Sequence, residues 1–131
     1  MTTNRKLVLG VLAGIVIGIA ATTVIHAGQN KPAPGYIVAE LDAITGDPAN
    51  LKQYGAKVEE TLAPFKHRFI IHSGNPTTLE GQSPMAIVVV EFDSVQQARA
   101  WYESPAYDAI KPLRQSSTKG RVFIAEGVAP K

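Results

Sequence analysis

A chain of 131 residues, 45 % of them apolar, has the length for one domain with a tail and the apolar content for a core. It has no cysteine, which excludes disulfides and lipid attachment through an N-terminal cysteine. Arg5 and Lys6 account for the formal charge of +2; beyond them Lys and Arg balance Asp and Glu, and no basic footprint for nucleic acid remains.

Arg5 and Lys6 precede an apolar run over residues 7–21, and Thr22, Thr23, Val24, Ile25, His26 and Ala27 follow it. A short basic region, an apolar stretch and a small residue read as a secretory signal over 1–27, cut after Ala27. The domain then works in the periplasm or otherwise outside the cytoplasm. The same run supports a second reading. Extended over its flanks it approaches the ~20 residues that span a bilayer. Gly10, Gly14 and Gly18 form a ridge on which two membrane helices can approach closely. Retained, the segment anchors the chain in the inner membrane with the domain outside, because a basic N-terminus stays inside. Membrane contact is then confined to residues 7–27.

Residues 28–35, GQNKPAPG, form a linker rich in Gly and Pro, and the domain is expected over 36–128. A first strand is expected over 36–42. Asp47 followed by Pro48 marks a helix start, and Leu51, Tyr54, Val58 and Leu62 keep helical spacing up to Pro64. HRFIIH over 67–72 is the second strand, the Gly- and Pro-rich stretch 74–84 a loop, and 85–92 the third strand. Ser94 with Gln97 signals the start of a second helix carrying Ala98, Trp101 and Tyr102. Ser104-Pro105 restarts a short helical stretch with Tyr107, Ile110 and Leu113, and the last strand is expected over 121–127.

The order β-α-β-β-α-β predicts an α+β, ferredoxin-like fold with an antiparallel sheet in strand order 4-1-3-2 and both helices on one face. The third strand carries Ile87, Val88, Val89 and Val90 in succession, so it is apolar on both faces. A sheet with one wet face alternates apolar and polar residues instead. The simplest cover for the second face is another copy of the sheet, which predicts a homodimer.

A further pattern runs through the second half of the domain. Glu91-Phe92-Asp93-Ser94, Ala98, Ala100-Trp101-Tyr102, Ser104-Pro105, Tyr107, Ile110 and Pro112-Leu113-Arg114 follow one another, and Thr61-Leu62-Ala63-Pro64-Phe65 precedes Arg68-Phe69. This pattern closely resembles the domain-of-unknown-function family numbered 1330, in the dimeric α+β barrel superfamily. The resemblance covers residues 36–128 and implies a fold and a dimer but no reaction. Many members lack an export segment, so the N-terminus departs from the family. Related barrel families include small-molecule monooxygenases, haem-degrading enzymes and stress-response proteins, and fold alone does not choose among them.

The chemistry legible in the residues is sparse. GxSxG, P-loop, GxGxxG and zinc-ligand spacings are all missing, so no cofactor and no metal are expected. His67 and His72 are five apart on one strand, and strict alternation sends them to opposite faces. Glu91 and Glu126 fall towards one end of the sheet and Glu40 towards the other, so the three form no compact cluster for paired-carboxylate acid/base chemistry. Glu91, at the end of an apolar strand, is expected half-buried beside a cation or His67. Trp101 and Tyr102 lie about 100° apart on a helix, so only one can point straight into the core. Arg114 is placed either to bind an anionic group or to cap its helix as a C-terminal cation.

Two functions fit. In the first, a small molecule sits between sheet and helices, against Tyr54, Glu91, Trp101, Tyr102 and Arg114. In the second, the domain is a non-catalytic self-associating or interaction module of the cell envelope. A roomy pocket with a few convergent polar groups favours the first, and a filled core with a flat apolar patch the second. Whether the chain is an enzyme does not follow from these residues.

Overall fold

The computed structural model describes residues 31–131, so the expected export segment and the cleavage expected after Ala27 lie outside the described residues. Seven elements follow in order: β1 (Gly35–Ile44), α1 (Pro48–Leu62), β2 (His67–Ser73), β3 (Ala86–Phe92), α2 (Val95–Tyr102), α3 (Pro105–Gln115) and β4 (Thr118–Glu126). They form a ferredoxin-like α+β fold on one antiparallel sheet in the order β2-β3-β1-β4.

The helix starts are chemically explicit. The Asp47 carboxylate accepts from the Ala49 amide before Pro48, Ser94 from Gln97, and Ser104 from Tyr107, each satisfying an otherwise unpaired donor. Gly35 lets β1 begin hard against α2, since a Cβ there would lie 2.5 Å from the Ser94 carbonyl oxygen. The third helical stretch is longer than its sequence signal, with Pro112 inside it. The last strand begins at Thr118, three residues earlier than expected.

Cross-strand register assigns the faces. Ile37 pairs with Val90 and Ile124, and these face the helices; Val38 pairs with Val89 and Phe123, and these face away. Ile37, Val90 and Phe92 join Leu62 from α1, Ala98 and Trp101 from α2, and Tyr107 and Ile110 from α3 in one buried cluster. The opposite face is open: Ile71 and Phe123 there are 44 % and 45 % exposed.

Two bulges interrupt the ladders, one between Leu41 and Ala43 and one between Phe69 and Ile71. The second corrects the reading of the histidines. His67 pairs with Phe92, Phe69 with Val90, and then, after the extra residue Ile70, His72 with Val88. Phe92, Val90 and Val88 share the helix face, so His67 and His72 share it too. Strict alternation fails here because a bulge inserts one unpaired residue and resets the phase of the strand.

Candidate functional site

The three helices do not cover the sheet evenly. α2 packs on β1, β3 and β4, whereas α1 packs chiefly on α3. The side of the sheet beneath α1 is therefore incompletely filled, and a cavity of about 360 Å³ remains. Ile37, Ala39, Val88 and Val90 form its floor, and Leu51, Tyr54 and Val58 its α1 wall. Trp101, Tyr107 and Arg114 line it from α2 and α3, and Phe69 and His72 from β2. Gly55 and Glu59 also line it, and both are exposed, which places them at the mouth.

The lining is mostly apolar, with a small polar group between α1 and α3. The Tyr54 and Tyr107 hydroxyls lie 3.0 Å apart in a mutual hydrogen bond, and their rings meet edge to face. Burial, then the neighbouring Tyr107, pushes the Tyr54 hydroxyl well above its ordinary pKa, so it stays a neutral phenol. Arg114 lies close enough to Tyr54 to oppose that rise without reversing it. Burial works against its charge, but the three tyrosines Tyr107, Tyr54 and Tyr102 more than offset it, and its pKa lies above the ordinary value. Its Nε is buried and has no hydrogen-bond partner.

Three of the residues singled out from sequence meet in this cavity: Tyr54, Trp101 and Arg114. Trp101 is also a packing residue. It is 3 % exposed, its Nε1–H donates to Thr61 Oγ1 at 3.0 Å, and its ring lies 4.1 Å from Tyr107 and 5.7 Å from Phe92. Tyr102 does not line this cavity. It borders a smaller, more polar recess with Arg99 and Glu103 at β4, beneath the Lys111 ammonium 4.3 Å from its ring centre. The adjacent positions on α2 thus split as helical geometry requires.

Glu91 lies elsewhere. Its register partners Tyr36 and Arg68 share the face turned away from the helices, and both bind it: the Tyr36 hydroxyl donates at 3.0 Å and Arg68 Nη2 at 3.1 Å. That hydrogen bond, together with burial, raises the Tyr36 pKa. The cation expected beside Glu91 is thus Arg68, and the alternative contact with His67 does not form, because His67 Nδ1 bonds the Phe65 carbonyl at 2.8 Å on the other face. Glu40 pairs likewise with Arg121 on the outer face. The two histidines are separated by Phe69, whose ring lies 6.1 Å from His67 and 6.4 Å from His72. No group of three metal-ligating side chains occurs among the described residues.

Sequence reasoning passed over Tyr107, Gly55 and His72. Tyr107 had a signal, since it follows Ser104-Pro105 at helical spacing. Gly55 had one too, as the sole glycine inside a helix expected in the domain. His72 had none, because its direction depends on the bulge.

Residues 34–128 match the model of a family described as a domain of unknown function, DUF1330. No curated protein matches the chain. Among solved structures, it is similar to a protein of unknown function from Rhodopseudomonas palustris, with a TM-score of 0.61 and 14 % identity over 79 % of this chain and 88 % of that one. It is similar to a dimeric ferredoxin-like protein of unknown function from Thermobifida fusca, with a TM-score of 0.50 and 16 % identity over 73 % and 92 % of the two chains. The cofactor-independent oxygenase SnoaB from Streptomyces nogalater is similar at a TM-score of 0.50 and 10 % identity, over 76 % and 95 %. At these identities the likeness is one of fold.

Proposed function

The chain belongs to the DUF1330 family, and from that premise we propose that it is an exported homodimer that binds a small, mainly apolar molecule in the cavity between its sheet and helices. The cavity carries this reading. A volume of about 360 Å³ with an apolar lining and a few grouped polar atoms is the usual form of a small-molecule site. The alternative, an interaction module, needs no such space between sheet and helices. The dimer has separate support in the bare apolar sheet face and in the dimeric description of the Thermobifida fusca relative. SnoaB makes cofactor-free oxygenation one chemistry to assay, with no weight beyond that.

Gly55 gives the test. A mid-helix glycine costs about 0.5–1 kcal/mol relative to alanine. No heavy atom lies within 4 Å of a Cβ built there, so packing does not demand it. What the missing side chain does is leave the mouth open. Gly55→Phe is therefore expected to keep or slightly raise the melting temperature while lowering binding of the neutral apolar dye N-phenyl-1-naphthylamine at least about tenfold. Fluorescence titration with one site per protomer in the wild type checks this. Undiminished binding in the variant, or none in the wild type, turns the choice to the interaction module.

Export is tested by intact mass. Protein taken from the cell envelope is expected to lack residues 1–27. A mass that includes them, with the protein in the membrane fraction, replaces cleavage by anchoring. Full-length protein confined to the cytoplasm removes export altogether.

A further inference from the structure

We propose that the ligand of this cavity is an apolar organic anion, a molecule with one carboxylate, sulfonate or enolate-type oxygen group, and that Arg114 with the Tyr54–Tyr107 pair receives that group. The inference rests on the cavity being a ligand site and adds the chemical class of what fills it.

Three observations carry it. The first is the buried Arg114 Nε–H, which has no acceptor. A buried donor left unpaired is costly, and native structures leave few of them. None of the ion pairs among the described residues includes Arg114, so its charge also stands without a carboxylate partner. The second is a count of hydrogens. Two phenols bring two O–H groups, and the bond between Tyr54 and Tyr107 consumes one. The other has no acceptor among the described residues, and both phenols line the cavity. The third is the rest of the wall. Beyond this group the polar side chains are His72, on the β2 wall, and Glu59, exposed at the mouth where water screens its charge.

The polar group therefore offers donors in excess of acceptors, with one full positive charge, at the wall of an otherwise apolar space. A cation meets the like charge of Arg114 and no buried carboxylate. A neutral apolar molecule leaves the Arg114 donor unpaired. An oxyanion meets the unpaired Arg114 charge and the free phenol O–H together, and a guanidinium, with its fixed fork of N–H groups, is the side chain best shaped to hold one. The alternative reading of Arg114, a cation at the α3 C-terminus, accounts for its position on the helix but not for an Nε turned away from water and from every acceptor.

The test compares two dyes of nearly equal shape, 1-anilinonaphthalene-8-sulfonate, which carries a sulfonate, and N-phenyl-1-naphthylamine, which does not. The wild-type protein is expected to bind the sulfonate dye about tenfold or more tighter. Arg114→Met is expected to weaken the sulfonate dye about 10- to 100-fold, the range of a charge-assisted hydrogen bond, and to change the neutral dye less than about threefold. Arg114→Lys, which keeps the charge without the fork, is expected to fall between. Gly55→Phe is expected to lose both dyes, which locates them in the cavity. Equal wild-type affinity for the two dyes, a comparison that needs no variant to fold, overturns the anion. So does an equal loss of both in Arg114→Met. In either case, wild-type binding of the neutral dye that Gly55→Phe abolishes leaves the cavity as a site. If neither dye binds the wild type, the cavity reading falls and takes this inference with it.

Discussion

Trp101→Ala is expected to lower the unfolding free energy by about 3–5 kcal/mol, the usual cost of truncating a fully buried tryptophan to alanine. Trp101 joins the two packed layers: its ring lies on Phe92 of β3 and Tyr107 of α3, and its Nε1–H holds Thr61 of α1. Removing it takes away contacts with three elements at once, and the cavity it lines can only grow. For a domain of this size the loss corresponds to a fall in melting temperature of about 12 °C or more. Urea unfolding with tryptophan-independent detection measures it. Tyr102→Phe is the contrast. Tyr102 is half-buried and its hydroxyl has no hydrogen-bond partner among the described residues, so that change is expected to stay within about 0.5 kcal/mol. A loss below about 1 kcal/mol for Trp101→Ala would mean that α1 and α2 hold together without it.

Trp101 and Tyr102 mark how far the sequence could be read. Adjacent positions on a helix cannot share a direction, so the sequence alone required one to be buried and one not. Which one depends on how α2 lies against the sheet, and that is tertiary information. The strand order and the two-faced character of β3 were legible for a similar reason. They rest on period-two alternation and crossover handedness, which act over a few residues. The cavity was legible only as a location, between helices and sheet. Its existence depends on α1 packing on α3 more than on the strands, and no spacing within α1 states that. His72 was the clearest failure. HRFIIH looks like an uninterrupted strand, and the extra residue at Ile70 shows itself only in the pairing with β3. Glu91 was read in part: it is half-buried beside a cation, Arg68, as expected. Its place at the end of an apolar strand was right, but a side chain one position from Phe92 must take the opposite face. That face holds Arg68 and Tyr36 instead of a ligand.

That outer face makes the second large effect. Val89→Lys is expected to convert the proposed dimer to a monomer, raising its dissociation constant about a thousandfold or more. Val89 pairs with Val38 on one side and Ile71 on the other, and Val38 pairs with Phe123, so these four apolar side chains form a row across the sheet. Charged side chains lie on either side of the row, Arg68 and Glu91 towards one end of the strands and Glu40 and Arg121 towards the other. An apolar centre with a polar rim is the anatomy of a protein interface. Twofold symmetry puts two lysines into the shared layer for every one in the gene, and each uncompensated charge costs several kcal/mol to desolvate. At 1.4 kcal/mol per tenfold, that exceeds three orders of magnitude. Val88→Lys separates this effect from general damage. Val88 points the opposite way from Val89, towards the cavity, so its variant is expected to lose the bound dye and some stability while whatever remains folded is still dimeric. Sedimentation velocity from nanomolar to micromolar protein reads both variants against the wild type. A wild-type chain that is monomeric at micromolar concentration, or a Val89→Lys dimer as tight as the parent, would show that something other than a second sheet covers this face.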